Sequence, residues 1–210
     1  MKKYIIVGTC VAVVTGFVAI TSISSADLNP LEKFVELREE ANDEEVSEDV
    51  VVKGKNTEIT EDEVADSAVF FEAQGEKEEE AIKSAETELM EYYALYAEAK
   101  NKGYSTTKEE VEEYVENLRK TVSTAENREE VEKVIEAYGD EDAYWDNMKE
   151  RYMTRLVAEK YTHDLLAAFN ETCKEQQGTD AYEKEWKKYF EGVKKKAVNK
   201  EKYKIVKDLD

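Results

Sequence analysis

The sequence has few of the residues that break helices or build chemical sites. Its 210 residues include one proline, eight glycines, two cysteines and one histidine. So little proline and glycine excludes a fold made of many tight turns and favours long helices. Two cysteines exclude a disulfide scaffold, because Cys10 lies in the apolar N-terminal run and Cys173 is left alone in a helical pattern. We interpret Cys173 as an unreactive helix residue.

Catalytic and metal-binding motifs are missing as well. His163 is the only histidine and has no ligand-spaced partner, so we interpret it as a helix-surface residue. Because the chain has 50 acidic residues, no single pair of carboxylates is informative as an acid–base signal. No calcium-loop spacing and no glycine-rich phosphate loop occurs. The sequence therefore predicts a protein that is not an enzyme and that holds no cofactor and no metal.

The charge balance limits the partners. The net charge is -20, which repels nucleic acid and anionic membranes. Charged residues make up 38% of the chain, a fraction compatible with disorder, but 13 tyrosines and a helical period favour a packed fold. Charge is also unevenly distributed, since residues 27–80 are strongly acidic and the C-terminal part from Glu183 to Lys207 is rich in lysine. Attraction between these two parts favours docking of the C-terminal helix on the N-terminal part.

The N-terminal residues 1–26 have the pattern of a targeting segment. Lys2 and Lys3 precede an uncharged run from Ile5 to Ile23, and small residues end at Ala26. The run fits a cleaved signal peptide and also fits a single membrane anchor, because its length is near the minimum for crossing a bilayer. Both alternatives predict an extracytoplasmic protein, either secreted or tethered to the cytoplasmic membrane.

Residues 27–49 are predicted to be an acidic spacer. The stretch from Glu39 to Asp49 is acidic and lacks an apolar stripe. Pro30, Leu31 and Phe34 could begin a short helix, but we expect the segment as a whole to be a solvated tether. The folded domain is then predicted to cover residues 50–210.

Two short β-branched runs open this domain. Val50 to Val52 and a second run ending at Ile59 predict two brief strands, and Tyr203 to Val206 alternates like a third. We expect the third strand to pair with Val50 to Val52 and close the domain as a small β element.

Helix signals fill the rest of the chain. Thr60 with Glu63 and Thr107 with Glu110 have capping-box spacing, and Asn127 with Glu130 opens a short helix in the same way. The helix from Thr107 carries Val111, Tyr114, Val115, Leu118 and Val122 on one side. A helix over residues 77–102 ends at Gly103, and a last helix runs from Thr179 to about Val198.

The longest element is predicted over residues 140–177, which contain no glycine or proline. Its apolar stripe turns along its length, so its two halves should pack against different neighbours. The first half presents Tyr144, Trp145, Met148, Tyr152 and Leu156, and the second presents Val157, Tyr161, Leu165 and Phe169.

The order of these elements resembles the N-terminal chaperone module of the SurA and PrsA family. The resemblance rests on Gly54, Ile59-Thr60 and Glu63-Val64, on the helix end at residues 97–104 with its restart at Thr107, and on residues 144–160 of the long helix. It covers residues 50–210 and implies a mainly α, multi-helix module with a long central helix and a small β element. Members of the family often insert a parvulin isomerase domain where this chain has only the turn at residues 176–179.

The resemblance therefore implies a non-catalytic holdase that binds unfolded exported polypeptides through aromatic helix surfaces. Tyrosine suits such contacts because it offers area and a wettable hydroxyl. An alternative from another class is a structural or adaptor protein that binds one folded envelope partner. The expected peptide-binding residues, each of which could instead be an ordinary core residue, are Tyr92, Tyr96, Trp145, Tyr152, Trp186 and Tyr189.

Overall fold

The structure, a computed structural model, describes residues 28–41, 47–125 and 127–209. Within these ranges the chain forms seven helices and three short strands, which confirms the mainly helical prediction. The elements are α1 (Leu28–Ala41), β1 (Val50–Lys53), β2 (Glu58–Thr60), α2 (Glu61–Ala73), α3 (Glu78–Asn101), α4 (Lys108–Ser123), α5 (Arg128–Ala137), α6 (Glu141–Thr172), α7 (Asp180–Glu201) and β3 (Lys204–Ile205). The leader predicted for residues 1–26 lies outside the described residues.

The three strands form one antiparallel sheet in the order β2-β1-β3. Val52 lies opposite both Ile59 and Ile205, so the predicted pairing of the C-terminal strand with the first strand is confirmed. Val51, Val52 and Ile59 have no exposed surface and form a core with the first half of α3. The sheet therefore joins the β1–β2 hairpin to the C-terminal strand.

A buried glutamate fixes the turn between β1 and β2 to the end of α7. Glu201 is 3% exposed and accepts hydrogen bonds from the backbone N (2.8 Å) and the side-chain Nδ2 (2.6 Å) of Asn56. The Tyr203 ring packs directly on Gly54, where an added Cβ would lie 2.6 Å from a ring carbon. Glycine is needed at this position because another chain segment approaches the backbone closely.

Removing the Glu201 carboxylate should loosen this junction. We expect Glu201→Ala to lower the free energy of unfolding by about 2 kcal/mol, because hydrogen bonds to a charged group are lost and buried donors remain. Urea denaturation followed by circular dichroism measures the change. Glu183→Ala, at an exposed position of the same helix, is the control and should have little effect. Equal stability of the two variants would contradict this account.

Helix α1 is packed on the domain. Leu31 and Phe34 are each 5% exposed and belong to a core shared with α2, α4, α5 and the first half of α6. The acidic spacer predicted for residues 27–49 is thus corrected over residues 28–41, where the apolar spacing of α1 outweighs its acidic composition. The short-helix alternative for this stretch describes it better.

Side-chain pairing adds to this docking. The Asp66 carboxylate of α2 is 6% exposed and accepts hydrogen bonds from Arg38 of α1 and Arg151 of α6. Arg38 also lies over the Tyr138 ring, with its guanidinium carbon 4.3 Å from the ring centroid. One carboxylate therefore connects three helices.

The two halves of α6 pack in different cores, as the turning stripe predicts. Tyr144, Trp145, Met148, Tyr152 and Leu156 lie in the core with α1, α2, α4 and α5. Val157, Tyr161 and Phe169 lie in another core, with the end of α3 and with α7. The helix ends at Thr172, earlier than residue 177, because the chain becomes extended at Cys173.

Two of the three predicted helix starts have the expected caps. Thr60 with Glu63 and Thr107 with Glu110 form complete capping boxes. The short helix after Asn127 forms, but the Asn127 side chain makes no capping hydrogen bond, because its backbone is not extended as a capping residue requires. Among the described residues, no helix has the length and apolarity needed to cross a membrane.

Candidate functional site

The structure places the six predicted peptide-binding aromatic residues in different surroundings. Tyr92, Trp145, Tyr152 and Trp186 are at most 4% exposed, and Tyr96 is partly buried. Only Tyr189 is well exposed, at 38%. The six residues do not come together on one concave surface. Trp145 and Tyr152 lie in the core with α1, α2, α4 and α5, whereas Trp186 lies in the other core, with the end of α3 and the second half of α6.

Close contacts explain this burial. The Tyr92 hydroxyl lies 2.5 Å from the Thr154 hydroxyl, so α3 is bonded to α6 at this point. The Trp186 ring lies 5.3 Å from both Phe169 and Phe190, measured between ring centroids. A peptide could reach these rings only if the helices separated.

Tyrosine hydroxyls of the core are held in their neutral form. Burial raises the pKa of Tyr92 and of Tyr138 to about 12. Burial also raises the pKa of Tyr144 and Tyr152, so none of these hydroxyls is a base near neutral pH. The His163 side chain is 82% exposed on α6, which confirms its interpretation as a helix-surface residue.

One exposed surface lies on α4 and carries strong negative charge. Its outer face presents Glu109, Glu112, Glu113 and Glu116, all exposed. Tyr114, 37% exposed, lies beside this face, and its ring centroid is 4.8 Å from that of buried Tyr152. An exposed tyrosine that is fixed by a buried ring, with acidic neighbours, is suited to contact a folded, basic partner surface.

A second exposed surface is the cleft between the end of α6 and α7. Its volume is about 550 Å³, and its apolar lining comes from Phe169, Tyr189 and Val193. Lys174, Lys188 and Lys196 line it together with Glu175 and Glu185. We call it the α6–α7 cleft. It combines aromatic area with positive charge in a chain whose net charge is -20.

Sequence reasoning missed most of these two surfaces. Tyr114 was expected on the apolar side of its helix, but the core under α4 accommodates only Val111, Val115 and Val122 as buried residues. Tyr189 was included as a binding residue, yet the cleft around it was not expected. Gly192, a glycine inside a helical pattern, was the available signal for this cleft.

Comparison with known families adds one finding. Residues 71–164 match the clathrin light chain family. The match begins near the end of α2, contains α3, α4 and α5, and ends within α6. It covers less than half of the chain. No curated protein and no solved structure matches.

This match corrects the predictions that came from the SurA and PrsA resemblance. The chaperone assignment and unfolded exported proteins as partners are wrong, because the matched family is a structural and adaptor family. The extracytoplasmic location is overturned by the same match, since that family is cytoplasmic and found at coated vesicles. The physical reason for the error is that helix starts and stops such as Thr60–Glu63 recur in unrelated helical folds.

Proposed function

We propose that this chain is a structural or adaptor protein that binds one folded partner through the outer surface of its helices. The observation that carries the proposal is the match of residues 71–164 to the clathrin light chain family, which is not enzymatic. The matched helices include α4, whose acidic face and Tyr114 are the exposed features described above. The family points to a clathrin heavy chain or an adaptor protein as the partner class.

The arrangement of α4 supports contact with a partner that is already folded. Its inner face is fixed to α6, because Lys160 donates to the Glu110 carboxylate at 2.9 Å and Val111 and Val115 are buried in the shared core. A rigid helix face needs little ordering on binding, so more of its contact energy appears as affinity. An adaptor with a preformed surface should select one complementary partner.

Affinity capture tests this proposal. The full chain, immobilised at one end, should retain one dominant protein, and the purified partner should bind it directly with a fixed stoichiometry. Glu112→Lys with Glu113→Lys should weaken that binding by at least about tenfold, because charge reversal at an interface repels the former partner surface. Glu79→Lys with Glu80→Lys, two exposed glutamates of α3, is the charge-matched control.

Two outcomes of the capture experiment would contradict parts of this proposal. If the chain retains many unrelated proteins and none binds directly after purification, the adaptor function is wrong. If one partner binds both variants equally, the function stands and the assignment to the α4 face is wrong.

A further inference from the structure

The α6–α7 cleft has a feature that the fold does not need. Gly192 lies in the interior of α7, and a Cβ added there would meet, beyond its own helix turn, no atom of the described residues within 4 Å. A glycine inside a helix lowers its stability relative to alanine. No close approach of another described residue and no turn explains this glycine. Gly192 therefore lowers the stability of the helix, and its missing side chain leaves the cleft open.

The lysines around the cleft are available for a ligand. Lys194, on the buried side of α7, pairs with Glu91 at 2.6 Å, and Lys200 pairs with Glu98 at 2.7 Å. The lysines that line the cleft make no ion pair with any residue in the described ranges. These are Lys174, Lys188 and Lys196.

The aromatic part of the cleft is fixed in place. Tyr189 lies 5.3 Å from Phe169 and 5.7 Å from Trp186, measured between ring centroids. Because both neighbours are buried, the exposed part of Tyr189 is a rigid apolar contact with a polar tip. Lysines beside a rigid aromatic ring suit a ligand that has carboxylates and one apolar side chain.

We propose that the α6–α7 cleft binds a short acidic segment with one apolar or aromatic side chain, contributed by the partner of the proposed adaptor function, on which this inference rests. Lys188 and Lys196, which both line the cleft, are about 12 Å apart along the helix at 1.5 Å per residue. An extended peptide covers that length with about four residues. Carboxylates then lie against the lysines, and the apolar side chain lies against Tyr189 and Val193.

The net charge of the chain favours a short acidic segment over an extended polyanion as the ligand of the cleft. The net charge of -20 repels an extended polyanion such as nucleic acid or an anionic membrane. A short segment approaches only the cleft, whose three lysines outnumber Glu175 and Glu185, so the repulsion from the rest of the chain is smaller.

Fluorescence anisotropy with a labelled peptide tests this proposal. The probe is a synthetic pentapeptide with one phenylalanine between two glutamates on each side, and the protein is the full chain. Lys188→Glu with Lys196→Glu, both in the cleft lining, should weaken binding by at least about tenfold, because two attractive charges become repulsive. Lys187→Glu with Lys204→Glu has the same change in net charge at exposed positions outside the cleft and should bind within about twofold of the parent.

Gly192→Leu gives a second, uncharged test. The added side chain enters open space, so the helix content should be unchanged and the melting temperature equal or higher. The cleft is then filled, and peptide binding should fall by at least about tenfold. Equal binding by the parent and this variant would show that the peptide binds elsewhere and would overturn the proposal.

The remaining outcomes separate this proposal from the adaptor function. If peptide binding requires the cleft but no single partner is captured, the cleft assignment stands and the adaptor function fails. If a partner is captured equally by the Lys188→Glu, Lys196→Glu variant, the adaptor function stands and the cleft proposal is wrong. Self-association of the parent that this variant abolishes, or binding to phosphatidylserine vesicles without binding to the peptide, would also overturn it.

Discussion

Asp66→Asn should lower the free energy of unfolding by about 3 kcal/mol and release α1 from the domain. The carboxylate lies between the guanidinium groups of Arg38 and Arg151 and is 6% exposed. Removing one member of a buried ion pair leaves buried charge that is no longer compensated. Asparagine keeps the shape of the side chain, so the loss of stability is caused by the missing negative charge.

Two measurements follow this change. Chemical denaturation gives the loss of stability, and amide hydrogen exchange reports whether residues 31–38 become unprotected. The matched control is Glu79→Gln, which breaks the pair with Lys83 in α3, where the two side chains are 82% and 67% exposed. That variant should behave like the parent, since exposed pairs contribute little. If both variants unfold at the same denaturant concentration, Asp66 does not hold the helices together.

Alkaline titration should unfold the protein in one cooperative step between about pH 10 and pH 12. The ordinary tyrosine pKa is 10.0, and burial raises that of Tyr92, Tyr138, Tyr161 and Tyr203 to about 12. Burial and the neighbouring Glu63 also raise the pKa of Tyr93.

The direction of the change in stability with pH follows from the neutral tyrosine hydroxyl, which is the form that the folded state stabilises. Below pH 10 these hydroxyls are neutral in both states, so the full stability is present. Above pH 10 the unfolded chain loses protons while the folded chain retains them, and stability falls as the pH rises through the folded pKa. For the buried Tyr92 and the partly buried Tyr138 the pKa shift corresponds to about 3 kcal/mol each, and a small domain has only about 5–15 kcal/mol in total.

Tyrosinate absorbance and far-ultraviolet circular dichroism should therefore change together. Tyr138→Phe removes one of the protons released on unfolding and should move the transition to higher pH. Tyr189→Phe, at an exposed position, is the control and should leave it in place. Tyrosines that ionise near pH 10 while the helices persist would refute the prediction.

The limits of the sequence resemblance have a physical explanation. Capping boxes and terminal glycines report where helices begin and end, and these signals depend on residues three or four positions apart. Thr60, Thr107 and Gly103 were located correctly in this way. The same short signals occur in many helical proteins, so their order did not identify the family.

What the sequence determined by itself was local. The start of each helix from Thr60 onward, the two faces of the long helix and the presence of strands at Val52 and Ile205 follow from spacing and alternation. These patterns follow from the 3.6-residue period of a helix and the two-residue period of a strand, which do not depend on the neighbouring elements.

Only the tertiary structure decided which apolar faces are covered. The helical period places Trp145 and Tyr189 equally well on apolar stripes, yet one ring is 2% exposed and the other 38%. The tertiary structure also brings Asp66 to Arg38 and Arg151, which are far from Asp66 in sequence. The reason is that burial depends on which helices pack together, and a residue's own neighbours in the chain carry no information about that packing.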